Sequence, residues 1–115
     1  MDLSPEKVIL VEGLTDKIRV QKVLKEPVEI ICTNGTISFA KMDELIEELE
    51  EKEIFILFDA DLSGEKLRKQ FKREFSLARH LYIDRKYKEV ATTPYKHLAT
   101  ILLSANIDIH SEFLL

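Results

Sequence analysis

Short segments made only of apolar residues alternate along this chain with longer segments whose apolar positions recur every three or four residues. The short segments are typical of strands buried on both faces, and the longer ones are typical of amphipathic helices. The predicted strands lie at residues 8–11, 28–32, 54–58 and 81–83. Strands that alternate with helices form parallel sheets with right-handed crossovers, so we expect an α/β fold with three layers.

The helices predicted between these strands begin at residues suited to an N-cap. These residues are Thr15, Ser38, Ser63 and Thr93, the last with Pro94 at the first helical position. The inner stripe of the first helix is predicted to contain Ile18, Val23 and Leu24, and that of the second Phe39, Met42, Leu45, Ile46 and Leu49.

The third predicted helix has a narrow apolar stripe at a spacing of four residues, formed by Leu67, Phe71 and Phe75. Its basic residues are therefore expected to face outward, namely Arg68, Lys69, Lys72 and Arg73. A last helix is predicted around residues 94–105. The apolar end of the chain, Phe113–Leu115, has three open interpretations, because it could cover the core, contact a second subunit or be loose.

Composition narrows the class of protein. The 115 residues, 45% of them hydrophobic, suffice for one domain, so residues 1–115 are expected to form a single domain. The lone Cys32 fits a reducing cytoplasm, and neither a secretory signal nor an apolar stretch of the ~20 residues that span a bilayer is expected. The three histidines share no ligand spacing, so zinc is excluded and any metal is expected to be held by oxygen.

Charge is unevenly distributed along the chain, although the net charge is only −4. Residues 43–53 contain seven acidic residues and one basic residue, whereas residues 65–88 contain nine basic residues and three acidic ones. A polyanionic partner is therefore expected to dock on the second segment.

Acidic residues follow the first and third predicted strands. Glu12 ends the first strand, and Asp59 and Asp61 end the third. Ligands bind open parallel sheets at the carboxyl ends of the strands, and alternate residues there point to one side, so we expect these carboxylates to converge. Oxygen ligands in this number suit Mg²⁺, which takes one or two carboxylates and completes its shell with waters and phosphate oxygens. The implied chemistry is that of phosphodiesters.

A purely structural interpretation of the same residues also stands. Asp61 and Ser63 would then cap a helix, and Glu12 would form a solvated salt bridge with Lys17 or Lys66. The glycine-rich motifs of dinucleotide-binding folds and P-loops are absent from the sequence. A phosphate-accepting receiver domain fits the size, but its acidic pair is expected after the first strand rather than the third.

Two segments together resemble the Toprim domain that topoisomerases, bacterial primases, overcoming-lysogenization-type nucleases and recombination proteins share. Val8–Asp16 is an apolar strand ending in Glu-Gly with an acid three residues after the glycine, and Phe55–Gly64 is an apolar strand ending in Asp-x-Asp. Thr33–Thr36, and Gly64–Lys66 with Arg68 after it, look most like the Toprim part of the ribosomal-RNA-maturing ribonuclease of the M5 type. The resemblance spans nearly the whole chain and implies a Rossmann-like Toprim fold, with an expected strand order of 2-1-3-4.

The resemblance implies a role for each acidic residue. Glu12 would be a general acid or base or a metal ligand, Asp59 and Asp61 would hold Mg²⁺, and Asp16 would be an auxiliary acid. Ser63 stands where topoisomerase-type members carry a third acid, which favours one tightly held Mg²⁺ and a second one recruited by the substrate.

The resemblance also covers three glycines, whereas the basic residues of the third helix are predicted from their charge to bind nucleic acid or, alternatively, to form only a solvated helix face. Gly13, Gly35 and Gly64 match family glycines at strand-to-helix turns, where a side chain would obstruct the approach of the phosphate backbone. The residues predicted to bind nucleic acid are Lys66, Arg68, Lys69, Lys72 and Arg73.

Two functions remain open at this stage. The first is a small Mg²⁺-dependent nuclease or RNA-processing enzyme, in which Mn²⁺ can replace Mg²⁺ and RNA is preferred over DNA. The second is a non-catalytic, Mg²⁺-dependent nucleic-acid-binding module that acts with a partner enzyme. We expect a cytoplasmic protein without a membrane partner in both cases, and the apolar end Phe113–Leu115 favours a homodimer.

Overall fold

A parallel sheet of four strands forms the centre of the computed structural model, which describes residues 4–115. The strands are β1 Lys7–Val11, β2 Glu29–Cys32, β3 Glu53–Leu57 and β4 Arg79–Leu81. Their order is β2-β1-β3-β4, and each neighbouring pair is parallel. The α/β class and the predicted order 2-1-3-4 are therefore confirmed. Residues 1–3 of the predicted domain 1–115 lie outside the described residues.

Two helices cover each face of the sheet. The helices are α1 Leu14–Val23, α2 Phe39–Leu49, α3 Leu62–Glu74 and α4 Tyr95–Ser104. Helices α1 and α4 pack on the face that contains Ile9 and Val11, whereas α2 and α3 pack on the face that contains Val8 and Leu10. Because β1 is central and covered on both sides, all of its last four residues must be apolar. No helix within residues 4–115 is long and apolar enough to cross a membrane.

Helix α2 begins where the sequence predicts, but α1 and α4 do not. The Ser38 hydroxyl caps α2 by accepting a hydrogen bond from the Lys41 N–H at 3.2 Å. Helix α1 already begins at Leu14 with Gly13 as its N-cap, so the prediction of Thr15 was wrong. In α4 the N-cap is Pro94 instead of Thr93.

The start of α3 also differs from the prediction. Its N-cap is Asp61, and Ser63 lies inside the first turn. The Thr93 hydroxyl, which was expected to cap α4, donates instead to the carbonyl of Glu89. At α3 the side chain of Asp61 caps the helix, whereas at α4 Pro94 takes the N-cap position without a side-chain hydrogen bond, so residue type alone does not identify the cap.

The edge strand β4 lies two residues before the predicted segment 81–83. Its ladder pairs Phe55 with Arg79 and Leu57 with Leu81. Arg79 and His80 are polar because an edge strand is partly open to solvent, and Ile83 is buried without belonging to the ladder. The apolar run 81–83 therefore marks burial rather than strand pairing.

Two residues assigned to inner helical stripes lie outside the core. Ile18 of α1 is 56% exposed and Phe39 of α2 is 84% exposed. Both lie in the first half of their helix, beyond the cover that the neighbouring elements provide.

The end of the chain packs against the α1–α4 side of the core. Ile109 forms a β-bridge with Leu24, and Phe113 and Leu114 pack against the core, with the Phe113 ring 5.5 Å from that of Tyr95. Only Leu115 of the apolar end is exposed. The expectation of a homodimer rested on an uncovered end, and that reason no longer holds.

Candidate functional site

Glu12 and Asp59 meet at the carboxyl edge of the sheet. Strands β1 and β3 are paired with Leu10 opposite Ile56, so the residues that follow each strand leave the sheet side by side. The backbone N–H of Asp59 donates to Oε2 of Glu12 at 3.3 Å. Two acidic residues that are 47 positions apart in the chain are thus in direct contact.

The proximity of these acids changes the acidity of Glu12. Burial, together with a side-chain hydrogen bond to Asp59 and the negative charge of Asp59, raises the pKa of Glu12 to about 8, although the hydrogen bond from the Asp59 backbone N–H opposes this rise. The charge of Asp61 raises the pKa of Glu12 to a smaller extent, which indicates that Asp61 lies at the same edge. Glu12 is therefore able to hold a proton near neutral pH.

A loop that follows β4 fixes the position of Asp59. The backbone N–H of Val90 donates to Oδ1 of Asp59 at 2.8 Å. The N–H of the next residue, Ala60, donates to the carbonyl of Lys88 at 2.6 Å. The sequence contained no signal for this clamp, because any loop residue except proline carries the N–H that it requires.

Asp61 combines a capping role with its place beside the acidic pair. Its Oδ1 accepts a hydrogen bond from the Gly64 N–H at 2.7 Å and so caps α3. The structural interpretation is correct on this point. The salt bridge that the same interpretation assigns to Glu12 is not found, because within residues 4–115 Glu12 forms no ion pair with Lys17 or Lys66.

Asp16 lies behind the site rather than in it. The side chain is 6% exposed, and its Oδ2 accepts a hydrogen bond from the Gly13 N–H at 3.1 Å, which closes the turn between β1 and α1. Burial raises the pKa of Asp16, and the charge of Asp59 adds to this effect. A role as auxiliary acid stays a prediction, whereas the support that Asp16 gives to the turn after Glu12 is visible.

The three glycines differ in the reason for which they are required. A Cβ at Gly64 would lie 2.1 Å from the carbonyl oxygen of Asp59, so this glycine allows α3 to pack against the end of β3. Gly64 lies in the first turn of α3 rather than in the turn before it, and its role in leaving room for a phosphate stays a prediction. Gly35 has φ +100° with open space around it, whereas a Cβ at Gly13 would make an ordinary contact.

Exposed basic residues of α3 flank the acidic pair on two sides. Lys66, Lys69 and Arg73 line a cavity of about 330 Å³ together with Glu12. A second cavity of about 310 Å³ contains Asp59, and its basic residues are Arg68, Lys69, Lys72 and Arg85. Lys69 lines both cavities, so the basic residues of α3 connect the cavity that contains Glu12 with the cavity that contains Asp59.

Arg68 is the exception among the predicted basic ligands. It is only 6% exposed, and its guanidinium donates to the carbonyls of Phe58 and Leu81, at the ends of β3 and β4. The expectation that Arg68 faces outward was wrong, because the inner face of a helix includes positions three and four residues apart. Arg68 lies four residues after buried Gly64 and three before buried Phe71, which is a signal that the sequence contained.

The acidic residues at this edge could hold a magnesium ion only together with other ligands. Within the part of the chain that the structure describes, no three His, Cys, Asp or Glu side chains come together closely enough to hold a metal ion by themselves. Mg²⁺ needs only one or two carboxylates when waters and substrate phosphates complete its shell. The contact between Glu12 and Asp59, with Asp61 nearby, fits that requirement.

A larger cavity of about 610 Å³ lies between the ends of α2 and α3, away from these residues. Acidic side chains, including Glu47, Glu50 and Glu74, surround apolar ones such as Phe75. Its charge would repel a phosphate, so it is not the candidate site despite its size.

Comparison with known proteins links the fold to a family. The family model described as Toprim domain matches residues 7–93. The chain is 58% identical over 109 residues to the uncharacterized protein YusF of Bacillus subtilis (strain 168), which covers 95% of this chain and 75% of that protein. A solved structure of a small TOPRIM domain protein from Bacillus stearothermophilus is 57% identical, with a TM-score of 0.93 over 96% of this chain and 93% of that one.

More distant relatives are named as enzymes. The chain is 34% identical over 85 residues to ribonuclease M5 of Mycoplasma pneumoniae (strain ATCC 29342 / M129 / Subtype 1), which covers 73% of this chain and 47% of that protein. The chain thus spans less than half the length of that relative.

Proposed function

Because this chain belongs to the Toprim domain family, we propose that it cleaves phosphodiester bonds of nucleic acid in a Mg²⁺-dependent reaction, with RNA as the preferred substrate. The observation that carries this proposal is the contact between Glu12 and Asp59, flanked by the basic residues of α3. Similarity to ribonuclease M5 supports nucleic acid as the substrate class and favours RNA.

The acidic residues have different roles in the proposed reaction. Glu12, whose pKa is raised to about 8, is suited to hold or move a proton at its Oε2 near neutral pH. Asp59 is held in place by the Val90 N–H, so its carboxylate is oriented before a ligand binds. A magnesium ion held by Asp59 with Asp61, or by Asp59 with Glu12 in its deprotonated form, would neutralise charge on the scissile phosphate and orient water. Mn²⁺, which also accepts oxygen ligands, is proposed to substitute for it.

The basic residues bind the nucleic acid backbone in this proposal. Neutralising about four phosphates with Lys66, Lys69, Lys72 and Arg73 gives a log-log salt slope of roughly −3 to −4 on duplex DNA and somewhat less on single strands. The double variant Lys69→Glu with Arg73→Glu is expected to lose most of the binding and to stay folded, because both side chains are exposed. Unchanged affinity in this variant would show that the basic residues form only a solvated surface.

Cleavage is tested with purified protein and labelled structured RNA, single-stranded DNA and supercoiled plasmid, each with Mg²⁺, Mn²⁺ or a chelator. Glu12→Gln and Asp59→Asn are expected to lose cleavage by roughly 10²-fold or more, because each removes a group placed at the reaction. Glu48→Gln is the matched control, since Glu48 is an exposed acid of α2 outside both cavities.

The outcome separates the two functions. Metal-dependent cleavage that is lost in Glu12→Gln and kept in Glu48→Gln supports the nuclease. Metal-dependent binding without cleavage contradicts it and favours a binding module that acts with a partner enzyme. A chain that neither binds nor cleaves nucleic acid contradicts both functions.

The setting of the reaction belongs to the same proposal. We propose that residues 1–115 act as one Toprim unit in the cytoplasm, where a reducing environment keeps Cys32 as a thiol. A homodimer is not needed for the site, because Glu12, Asp59 and Asp61 all come from one chain.

A further inference from the structure

An exposed aromatic ring lies beside the acidic pair. Tyr82 directly follows β4 and is 58% exposed, although its neighbours Leu81 and Ile83 are buried. The side chain lines the 310 Å³ cavity that also contains Asp59. A large aromatic residue that is exposed in a cavity with a candidate catalytic carboxylate is suited to contact a ligand that contains an aromatic ring.

The Tyr82 ring is fixed from behind. The guanidinium carbon of Arg68 lies 4.1 Å from the centre of the ring, and Arg68 is itself buried and bonded to two strand-end carbonyls. His80 approaches Arg68 through Nδ1 at 3.1 Å, and its ring is nearly parallel to that of Tyr82. Buried Arg68 and partly exposed His80 thus hold one side of the ring and leave the rest open, so a ligand would lose little conformational entropy by stacking on it.

The surroundings of the ring favour an anionic ligand. Lys69, Lys72 and Arg85 line the same cavity in addition to Arg68. The cavity volume is close to the lower limit for small-ligand sites, which suits a single nucleotide unit rather than a helix. A flat π surface beside several cations matches a ligand that carries an aromatic base and a phosphate a few ångströms apart.

We infer that Tyr82 is a stacking platform for an unpaired base of single-stranded nucleic acid, whose adjoining phosphate lies at the basic rim next to Asp59. The inference rests on the proposed function and adds to it the preference for an unpaired segment. In a duplex the bases are stacked on one another and are not available to the ring. Tyr82 is therefore expected to matter for single strands and not for duplexes.

Binding is measured by fluorescence anisotropy with a short single-stranded RNA, DNA of the same sequence, and the corresponding duplex. Tyr82→Ala is expected to weaken single-strand binding roughly 5- to 150-fold, the range typical of base stacking on an aromatic residue. Tyr82→Phe is expected to stay within about threefold of the wild type, because it keeps the ring. Tyr87→Ala is the matched control, since Tyr87 lies in the next loop and does not line the cavity.

Tyr82→Trp supplies a spectroscopic signal, because the chain contains no other tryptophan. Its fluorescence is expected to be quenched by the single strands and not by the duplex. Comparison of RNA with DNA shows which single strand is preferred. Melting curves of all variants establish that a loss of binding does not reflect unfolding.

The outcomes distinguish this inference from the proposed function. If folded Tyr82→Ala binds nucleic acid as the wild type does, or loses duplex binding equally, the stacking inference is wrong, and the nuclease proposal stands if the wild type cleaves. If Tyr82→Ala loses single-strand binding while no protein cleaves, the inference is supported and the nuclease proposal is wrong. If the wild type binds no nucleic acid, both are wrong.

Discussion

The packing of Gly64 against the backbone of Asp59 gives a sharp test of how the site is held. In Gly64→Ala the new Cβ would lie 2.1 Å from the carbonyl oxygen of Asp59 and 2.9 Å from its carbonyl carbon. An ordinary contact begins at 3.4 Å, so α3 or the end of β3 must move by about 1 Å. Backbone atoms cannot rotate away as a flexible side chain does, so the clash must displace the backbone at Asp59 or the start of α3.

The cost follows from two opposing effects. Overpacking costs about 1–3 kcal/mol, and the better helix propensity of alanine recovers at most about 1 kcal/mol. Because the clash is with backbone, we expect a net destabilisation of about 1–2 kcal/mol. Each kcal/mol lowers the melting temperature of a domain of this size by about 4 °C or more, so a decrease of about 5–10 °C is expected.

Gly13→Ala is the matched control, since its Cβ would lie 3.9 Å from the Asp16 carboxylate at an unstrained φ of −138°. Its only expected cost is a poorer N-cap, below about 1 kcal/mol. Thermal melts and cleavage rates of the two variants are compared with the wild type. A displacement of 1 Å can lower a rate by about 10²-fold, so Gly64→Ala should also lose activity. Equal melting temperatures for the two variants would refute the assigned contact.

Three further predictions concern buried or clustered charges. Arg68→Met should lower the free energy of unfolding, measured in urea, by about 3 kcal/mol, because it leaves two strand-end carbonyls unpaired. Lys69→Met, at the exposed next position, should lower it by less than about 0.5 kcal/mol. Similar losses in the two variants would contradict the buried role of Arg68. Without metal, the folded-state pKa of Glu12 of about 8 exceeds its ordinary value of 4.5, so the contribution of Glu12 to stability should be fully present below pH 4.5 and should be lost as the pH rises through about 8. Melting of Glu12→Gln should lack that part of the slope, and a slope equal to the wild type would contradict the raised pKa. Mg²⁺ at one hundred times its dissociation constant should stabilise the wild type by about 2.7 kcal/mol, which raises the melting temperature by roughly 10 °C. Asp61→Asn, which still caps α3, should lose most of this response. Equal responses of the two proteins would remove Asp61 from the metal site.

The elements that the sequence predicts well are those that are buried on both faces, because burial requires apolar residues at nearly all of their positions. Strands β1 and β3 lie between two layers of helices, so every position after the first one must be apolar, and the run of apolar residues coincides with the strand to within one residue. Strand β4 lies at the edge, where only its inner positions are restricted. Its ladder residues Arg79 and His80 are polar, and the apolar run 81–83 that follows drew the predicted strand two residues too far.

The meeting of Glu12 with Asp59 could be predicted because topology decides it. Once β1 and β3 are neighbours in a parallel sheet, the residues after them must lie side by side. The partners of these acids could not be predicted in the same way. The clamp from Val90 uses only a backbone N–H at the start of the short 3-10 helix Val90–Thr92. The choice between Asp61 and Ser63 as a cap depends on where the chain leaves β3.

Arg68 shows a different kind of error. The strict spacing of Leu67, Phe71 and Phe75 marks one line along α3, whereas the buried face is wider and includes Gly64 and Arg68. A basic residue within that face is explained only by the two carbonyls that it bonds, and these belong to strands far away in the sequence. These hydrogen bonds therefore allow the arginine to be buried, although arginine is usually exposed.

The hydrogen bond from the Val90 amide to Oδ1 of Asp59 makes one backbone proton a reporter of the site. Val90 lies 31 positions from Asp59 in the chain, yet its amide is shielded from solvent exchange for as long as that oxygen accepts it. A cation that recruits Oδ1 competes with the amide and speeds its exchange with deuterium. A cation that recruits Oδ2 leaves the amide in place and slows its exchange by stabilising the loop. Isotope exchange at this single position thus tells which carboxylate oxygen a ligand takes, in solution and without any label on the site.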